Sequence, residues 1–197
     1  AFNNNQLTSA NLSACSLLQN LWLNDNQLST IQTPKGGMPK LEVFNLSNNQ
    51  FETFDFSIVP SVTELVISGN KFEGDIDLSQ NKSLEKFFAY DNQIGNITFS
   101  NSGLTTLSVS NNQLKSLNVP SSDLYWVEAN NNQLMGVNVS ATTNLYLLHL
   151  DNNKLNSLNL DGKNILVSLS IRNNQFESNS LDKLYGQLPD LSDVGVS

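Results

Sequence analysis

Residues that could carry acid–base or nucleophilic chemistry are few in this chain. Glu128, His149 and Ser170 follow one another at intervals of 21 residues, and a carboxylate, an imidazole and a hydroxyl in contact can form a hydrolytic triad. His149 is the one histidine and Cys15 the one cysteine, which excludes an internal disulfide framework and a cysteine-rich zinc site. A triad also needs oxyanion donors and a site that excludes water. The elements that position these three residues therefore decide whether they can act together.

Charge and hydropathy narrow the classes of partner. Lys and Arg number 10 against 18 Asp and Glu, a formal net charge of -8, so the basic footprint of a nucleic-acid-binding protein is missing. No segment approaches the roughly 20 apolar residues of a membrane span, and we expect no membrane insertion. Asp55 and Asp77 could share a hard cation, but no further oxygen ligands recur at matching positions. We therefore expect a solvated acidic surface there, with no metal site and no cofactor.

The spacing of these residues follows an internal repeat that covers the whole chain. Its clearest marker is an asparagine that returns every 20 to 23 residues, at Asn5, Asn26, Asn49, Asn70, Asn92, Asn112, Asn132, Asn153 and Asn174. The surrounding template is L-x-x-L-x-L-x-x-N-Q-L-x-x-L-x-L, which residues 104–119 match closely. Units begin at Leu18, Leu41, Val62, Leu84, Leu104, Leu124, Leu145 and Leu166, with a ninth at Leu191.

The template has a physical explanation of its own. The L-x-L alternation has a period of two and predicts a short strand with one buried face. A unit of about 21 residues cannot bury that face alone, so neighbouring coils must stack around a continuous core. The asparagine lies where the chain leaves the strand, and an inward amide can bond backbone groups of its own turn and the next. We therefore predict that the nine asparagines form a buried ladder.

This pattern resembles the leucine-rich repeat family, and its short period and second apolar pair resemble the bacterial internalin-J-like or IRREKO variety. The resemblance implies a solenoid of the α/β superhelix class, mostly β, with a parallel concave sheet and an irregular convex side bearing short strands. An extra residue in the segment 72–78 predicts a bulge on that side. A short helix is expected near residues 180–187, with Ser180 as its cap and Gly186 at its end.

The whole chain, 1–197, is expected to form a single array of about eight full repeats with partial repeats at both ends. Neither end shows the polar cap with which natural arrays close. We therefore expect the chain to be a fragment of a larger protein.

Residues between the strand leucines should face solvent on the concave sheet, with equal template positions aligned about 4.8 Å apart. Trp126 should lie beside Leu147 and Tyr125 beside Tyr146, and a contiguous aromatic patch often marks a contact site. β-propensity alone could also place aromatics there. Two surface ion pairs are expected, Asp151 with Arg172 and Glu64 with Lys86. The candidate ligand-binding residues are Trp22, Phe88, Tyr90, Tyr125, Trp126, Glu128, Tyr146, Leu147, His149, Asp151 and Arg172.

Residues at one template position in successive units form a column across the sheet. Glu128, His149 and Ser170 fall in one column, so the repeat brings them side by side. A shallow sheet face supplies neither a nucleophile elbow nor a pocket, and we interpret the juxtaposition as chance rather than catalysis. The family resemblance implies a non-enzymatic recognition or adhesion module that binds a protein, or a glycan, and acts as a monomer. A structural spacer in a surface protein is the alternative. The acidic surface favours basic partners, and the resemblance suggests a secreted or cell-surface protein.

Overall fold

The chain folds into a solenoid whose main sheet gathers one short strand from each coil. A computed structural model describes residues 1–100 and 103–188. We call the eight-stranded parallel sheet the concave sheet. In spatial order, its strands are β1 (Asn20–Trp22), β2 (Val43–Asn45), β3 (Glu64–Val66), β5 (Lys86–Phe88), β7 (Thr106–Ser108), β9 (Trp126–Glu128), β11 (Leu147–His149) and β12 (Ser168–Ser170). The leucine-rich repeat solenoid predicted from the sequence is thus confirmed.

The opposite, convex side carries shorter regular elements. Strand β4 (Glu73–Leu78) pairs with β6 (Gln93–Phe99), and β8 (Ser116–Asn118) pairs with β10 (Gly136–Asn138), both in parallel. A 3-10 turn covers Phe56–Ile58. The register between β4 and β6 shifts between Gly74 and Asp75, where Gly74 has φ +68°. This is the irregularity that the extra residue in segment 72–78 predicts.

The core runs along the inside of the concave sheet. The middle residue of each strand of the concave sheet points inward. In the seven concave strands from β1 to β11 this residue is at most 2% exposed: Leu21, Phe44, Leu65, Phe87, Leu107, Val127 and Leu148. In the first half of the chain phenylalanine replaces leucine at several positions. Phe51 and Phe72 stack with ring centroids 6.3 Å apart, and Phe54 packs edge-on against Phe44 at 5.4 Å. Burial of these rings stabilises the stack of coils, since each coil supplies only part of the core.

The predicted asparagine ladder is present, but its direction differs from the prediction and its burial is incomplete. Asn70, Asn92 and Asn174 are only half-buried, and Asn5 is exposed. Asn112 is typical: its amide nitrogen donates to the carbonyls of Val109 and Ser110 in its own turn and of Ala89 in the preceding coil, at 3.1, 3.3 and 2.9 Å. Its Oδ1 accepts the N–H of Ile94, also in the preceding coil, at 2.9 Å. The amide therefore joins its own turn to the coil before it, and the prediction that it reaches the next coil is wrong.

The same four contacts recur at every ladder position from Asn26 to Asn174. Asn5 is the exception, because it belongs to the first coil. It is exposed, and its amide bonds only the carbonyls of Phe2 and Asn3 within its own turn.

A second ladder, which the sequence analysis did not predict, lies on the surface beside the first. Every ladder asparagine is preceded by a residue with φ between +54° and +65°, which is Asn, Asp or, once, Gly69. These types tolerate the left-handed conformation. Their side chains also bond along the solenoid, as when Asn131 donates to Asn111 at 2.7 Å and Asn152 to Asn131 at 2.7 Å. The Asn-Asn doublets of the sequence could have indicated this second ladder.

Helix α1 spans Ser178–Tyr185 and is the last helix or strand among the described residues. The predicted helix is confirmed, and Gly186 follows it as expected. Its start is different: Glu177 occupies the cap position, and Ser180 lies inside the first turn, where its N–H bonds the Glu177 carbonyl. The ninth unit expected at Leu191 lies outside the described residues. Within 1–100 and 103–188, no helix has the length and apolar character of a membrane span.

Candidate binding surface on the concave sheet

The register of the strands places the predicted columns on the concave sheet. Trp126 on β9 pairs with Leu147 on β11, and Glu128 pairs with His149. His149 in turn pairs with Ser170 on β12. Since parallel strands in register align equal template positions, the juxtapositions read from the repeat are present in the backbone. What the side chains do there is a separate question.

The aromatic cluster around β9 and β11 is the most distinctive feature of this surface. Tyr125 and Tyr146 stack with ring centroids 4.9 Å apart and planes inclined by 10°. Tyr125 is 43% exposed, and Trp126 and Tyr146 are half-buried. Leu147, which was predicted to face solvent, is only 7% exposed, although it lies outside the main core cluster. Because neighbours on the sheet cover it, Leu147 supports the patch rather than presenting a surface to a ligand.

The remaining exposed aromatics lie toward the other end of the sheet. Trp22 on β1 is 38% exposed, and Tyr90, just after β5, is 41% exposed. Phe88 on β5 is half-buried and is separated from β9 by β7. The stacked tyrosines and Trp126 therefore form a compact group, which we call the aromatic patch (Tyr125, Trp126, Tyr146), and Trp22 lies five strands away from it.

The side chains of the apparent triad do not bond one another. His149 Nε2 lies 2.9 Å from the hydroxyl of Ser168, two residues before Ser170 on the same strand. The Ser170 hydroxyl donates to Asp151 at 2.6 Å, and Glu128 accepts a long hydrogen bond of 3.3 Å from the Ser108 hydroxyl. Each member thus has a different partner, and the contacts a hydrolytic triad requires are not made. The sequence did not identify Ser108 as the partner of Glu128 or Ser168 as the partner of His149. Their template positions beside these residues were the signal that could have done so.

Asp151 anchors a polar cluster at the C-terminal end of the concave sheet. One carboxylate oxygen accepts the Ser170 hydroxyl at 2.6 Å and the Arg172 backbone N–H at 2.7 Å. The other accepts the Arg172 guanidinium through Nε at 2.8 Å and Nη2 at 2.6 Å. Burial would raise the pKa of this carboxyl, but the hydrogen bonds from Ser170 and Arg172 together hold the pKa below its ordinary value.

The predicted ion pair of Asp151 with Arg172 is therefore present, but its carboxylate is largely buried. The Asp151 side chain is 10% exposed, against 81% for Arg172. The expectation of a surface ion pair fits the other pair, because Lys86 and Glu64 are both substantially exposed and lie 3.4 Å apart.

The two aspartates considered for a cation serve local turns. Asp55 accepts the Ser57 N–H at 3.0 Å and its hydroxyl at 2.6 Å. Asp77 accepts the Ser79 N–H at 2.9 Å, and bonding to Ser79 lowers the pKa of Asp77. Within the described ranges, no three His, Cys, Asp or Glu side chains are grouped to hold a metal ion.

Comparison with known proteins agrees with this architecture. Residues 16–58 match the family model for Leucine Rich repeats (2 copies). No curated protein matches the chain in sequence. The fold that the repeat and the concave sheet define is that of the leucine-rich repeat proteins, which generally mediate protein–protein contacts.

Several solved structures share this fold. A leucine-rich repeat protein of Leptospira interrogans, LIC12759, is 23% identical with a TM-score of 0.73, over 86% of this chain and 47% of that protein. The plant peptide hormone receptor RGFR1, in complex with RGF2, is 23% identical with a TM-score of 0.68, over 85% of this chain and 31% of the receptor. The internalin InlF of Listeria monocytogenes is 16% identical with a TM-score of 0.56, over 92% of this chain and 70% of InlF. This chain thus spans less than half of the first two proteins, and the likeness is one of fold.

Proposed function

We propose that this chain is a non-enzymatic recognition module that binds a protein through the C-terminal half of the concave sheet. The observation that carries the proposal is the aromatic patch, with its stacked tyrosines at 4.9 Å and half-buried Trp126. Aromatic side chains are enriched among residues that dominate binding energy, because they bury a large area at a low entropic cost. A varied surface on a regular core suits recognition, since the surface can change without disturbing the coils.

Three features support a protein ligand. The surface is a broad sheet face rather than an enclosed pocket, and protein interfaces typically bury about 800 Å² on each partner. RGFR1, which shares the fold, was solved with the peptide RGF2 bound. The patch is also flanked by hydrogen-bonding and charged groups, including His149 and Asp151. An apolar centre with a polar surround is the usual anatomy of a protein interface.

A double substitution tests the proposal. Trp126→Ser with Tyr146→Ser removes most of the patch, and Trp22→Ser is the matched control because Trp22 is exposed on the same sheet but outside the patch. Partners recovered from candidate cell extracts with the unaltered chain are purified, and their dissociation constants are compared. We expect the double variant to weaken binding at least about tenfold, while the control leaves it unchanged. Unfolding midpoints confirm that each variant remains folded.

Equal binding by the double variant would contradict the proposal, because the contact would then lie outside the aromatic patch. Recovery of no specific partner would favour the structural spacer, whose surface makes no specific contact. A recognition module of this kind fits a secreted or cell-surface protein, which is part of the same proposal. Surface exposure of the chain on intact cells, measured with an antibody and compared with permeabilised cells, tests that location.

A further inference from the structure

Glu128 differs from the other acidic side chains on the concave strands. Glu64 is paired with Lys86 and Asp151 with Arg172. Glu128 has neither a lysine nor an arginine within ion-pair distance in the described residues, and residues 101–102 and 189–197 contain no Lys, Arg or His. The one hydrogen bond to its side chain among the described residues is the 3.3 Å bond from the Ser108 hydroxyl. Glu128 is therefore a half-buried carboxylate whose charge the chain itself does not match.

Trp126 lies two residues before Glu128, on the same strand and the same face. Its register neighbours are Thr106 and Leu147, and those of Glu128 are Ser108 and His149. An indole and an unmatched carboxylate two residues apart on one sheet face can together hold a cationic side chain, because the ring quadrupole and the carboxylate attract the same charge.

Acidic side chains outnumber basic ones in the hollow next to Trp126. Glu85 and Asp123 line this shallow hollow together with Thr105, and Lys82 is the cation in that lining. The Thr105 carbonyl accepts the backbone N–H groups of both Tyr125 and Trp126, so the hollow adjoins the aromatic patch. The chain as a whole carries a formal net charge of -8. Local and global charge thus both favour a basic group approaching this surface.

We propose that Trp126 and Glu128 form a receptor site for an arginine or lysine side chain of the protein partner, with the ammonium or guanidinium against the indole and bonded to the carboxylate. The inference rests on the proposed function, since it names the chemistry that the aromatic patch recognises. It commits to a basic residue of a protein as the occupant, because a neutral sugar can hydrogen-bond the carboxylate but cannot neutralise its charge.

The chain provides an internal control for this site. Trp22 is the second tryptophan on the concave sheet, and it is exposed. It has no neighbouring carboxylate like Glu128, because its register partner is Asn45 and the residue two positions on is Asn24. A cation should therefore prefer Trp126 to Trp22. The two indole N–H signals report on both sites in one NMR spectrum, and a Trp22→Phe variant assigns the signal that remains to Trp126.

The experiment titrates the intact chain with N-acetyl-arginine amide and, separately, with N-acetyl-citrulline amide, which has a similar shape without the charge. We expect the Trp126 signal to move saturably with the arginine compound and the Trp22 signal to move much less. Glu128→Gln should weaken the apparent affinity about threefold, and added salt should weaken it further. Glu64→Gln is the matched control and should leave the affinity unchanged, because that carboxylate already has Lys86.

Equal responses of the two indoles, equal effects of arginine and citrulline compounds, or an unchanged affinity in Glu128→Gln would each overturn the proposal. These outcomes are independent of the pull-down with the double variant. If that variant loses its partner while the arginine titration fails, the surface binds a protein but the cationic site is wrong.

Discussion

Substitution of a single ladder asparagine should measure what holds neighbouring coils together. Asn112 is 8% exposed and makes four hydrogen bonds, two of them to the preceding coil. Asn112→Ala keeps the helical and strand segments unchanged but removes every one of these bonds. It leaves the N–H of Ile94, a fully buried residue, and the carbonyl of Ala89 without this partner.

The expected loss follows from the geometry. The two bonds to the preceding coil are both 2.9 Å long, and the bond to Val109 is 3.1 Å. A buried hydrogen bond contributes about 1 kcal/mol net, and a buried group left unsatisfied costs about 1–3 kcal/mol. We therefore expect Asn112→Ala to lower the free energy of unfolding by about 3 kcal/mol, a large fraction of the roughly 5–15 kcal/mol typical of a domain.

Urea unfolding followed by circular dichroism gives this difference, and amide hydrogen exchange locates it. Asn5→Ala is the matched control, because Asn5 has the same template position but bonds only its own turn; its loss should be below about 1 kcal/mol. The Ile94 amide should exchange faster in Asn112→Ala and at the unaltered rate in Asn5→Ala. Equal losses for the two variants, or full protection of Ile94 in Asn112→Ala, would refute the view that the ladder joins coils.

Three further outcomes follow from the structure. Ser170→Ala should raise the lowered pKa of Asp151, which NMR titration detects; the accompanying loss of stability should be present above about pH 3.9 and disappear as the pH falls through the lowered pKa. Gly69, at φ +65°, should tolerate Asn better than Ala, because Asn adopts this conformation more readily; unfolding midpoints compare the two. Within residues 1–100 and 103–188, Lys163 is 4% exposed and its ammonium donates one hydrogen bond, 3.3 Å long, to the Asp161 carbonyl. Lys163→Met should therefore stabilise by about 1 kcal/mol, whereas exposed Lys154→Met should not.

The fold could be predicted because it depends on quantities that the sequence displays directly. A strand position that must be filled in every coil repeats its residue type, and the spacing then gives the register. Leu107 and Val127 show this: both were placed inside from the template, and both are fully buried. The start of α1 could not be read in the same way, since it lies in an irregular unit and Glu177, at the cap position, makes no side-chain cap hydrogen bond.

The partners of the concave side chains could not be predicted, because a column position fixes a backbone neighbour and not a rotamer. Ser170 is the register partner of His149 on the neighbouring strand, yet its hydroxyl bonds Asp151. A carboxylate with several donors around it attracts a hydroxyl more strongly than a neutral ring does. Sequence columns therefore give the candidates for a site, and side-chain electrostatics selects among them.

The Asn-Asn doublet explains why the concave surface is free to vary. Its second asparagine satisfies buried backbone groups between coils, as Asn132 does for the Leu114 N–H at 2.9 Å. Its first residue adopts the left-handed turn and ties the surface of one coil to the next, as Asn131 does with Asn111. Because both tasks are performed where the chain leaves the strand, the outward residues of the strand are not needed to satisfy the backbone groups that the doublet bonds. The residue types at positions 126 and 128 can therefore suit a ligand without a cost to the fold. Substitution of Trp126 or Glu128 should weaken recognition more than it lowers the free energy of unfolding.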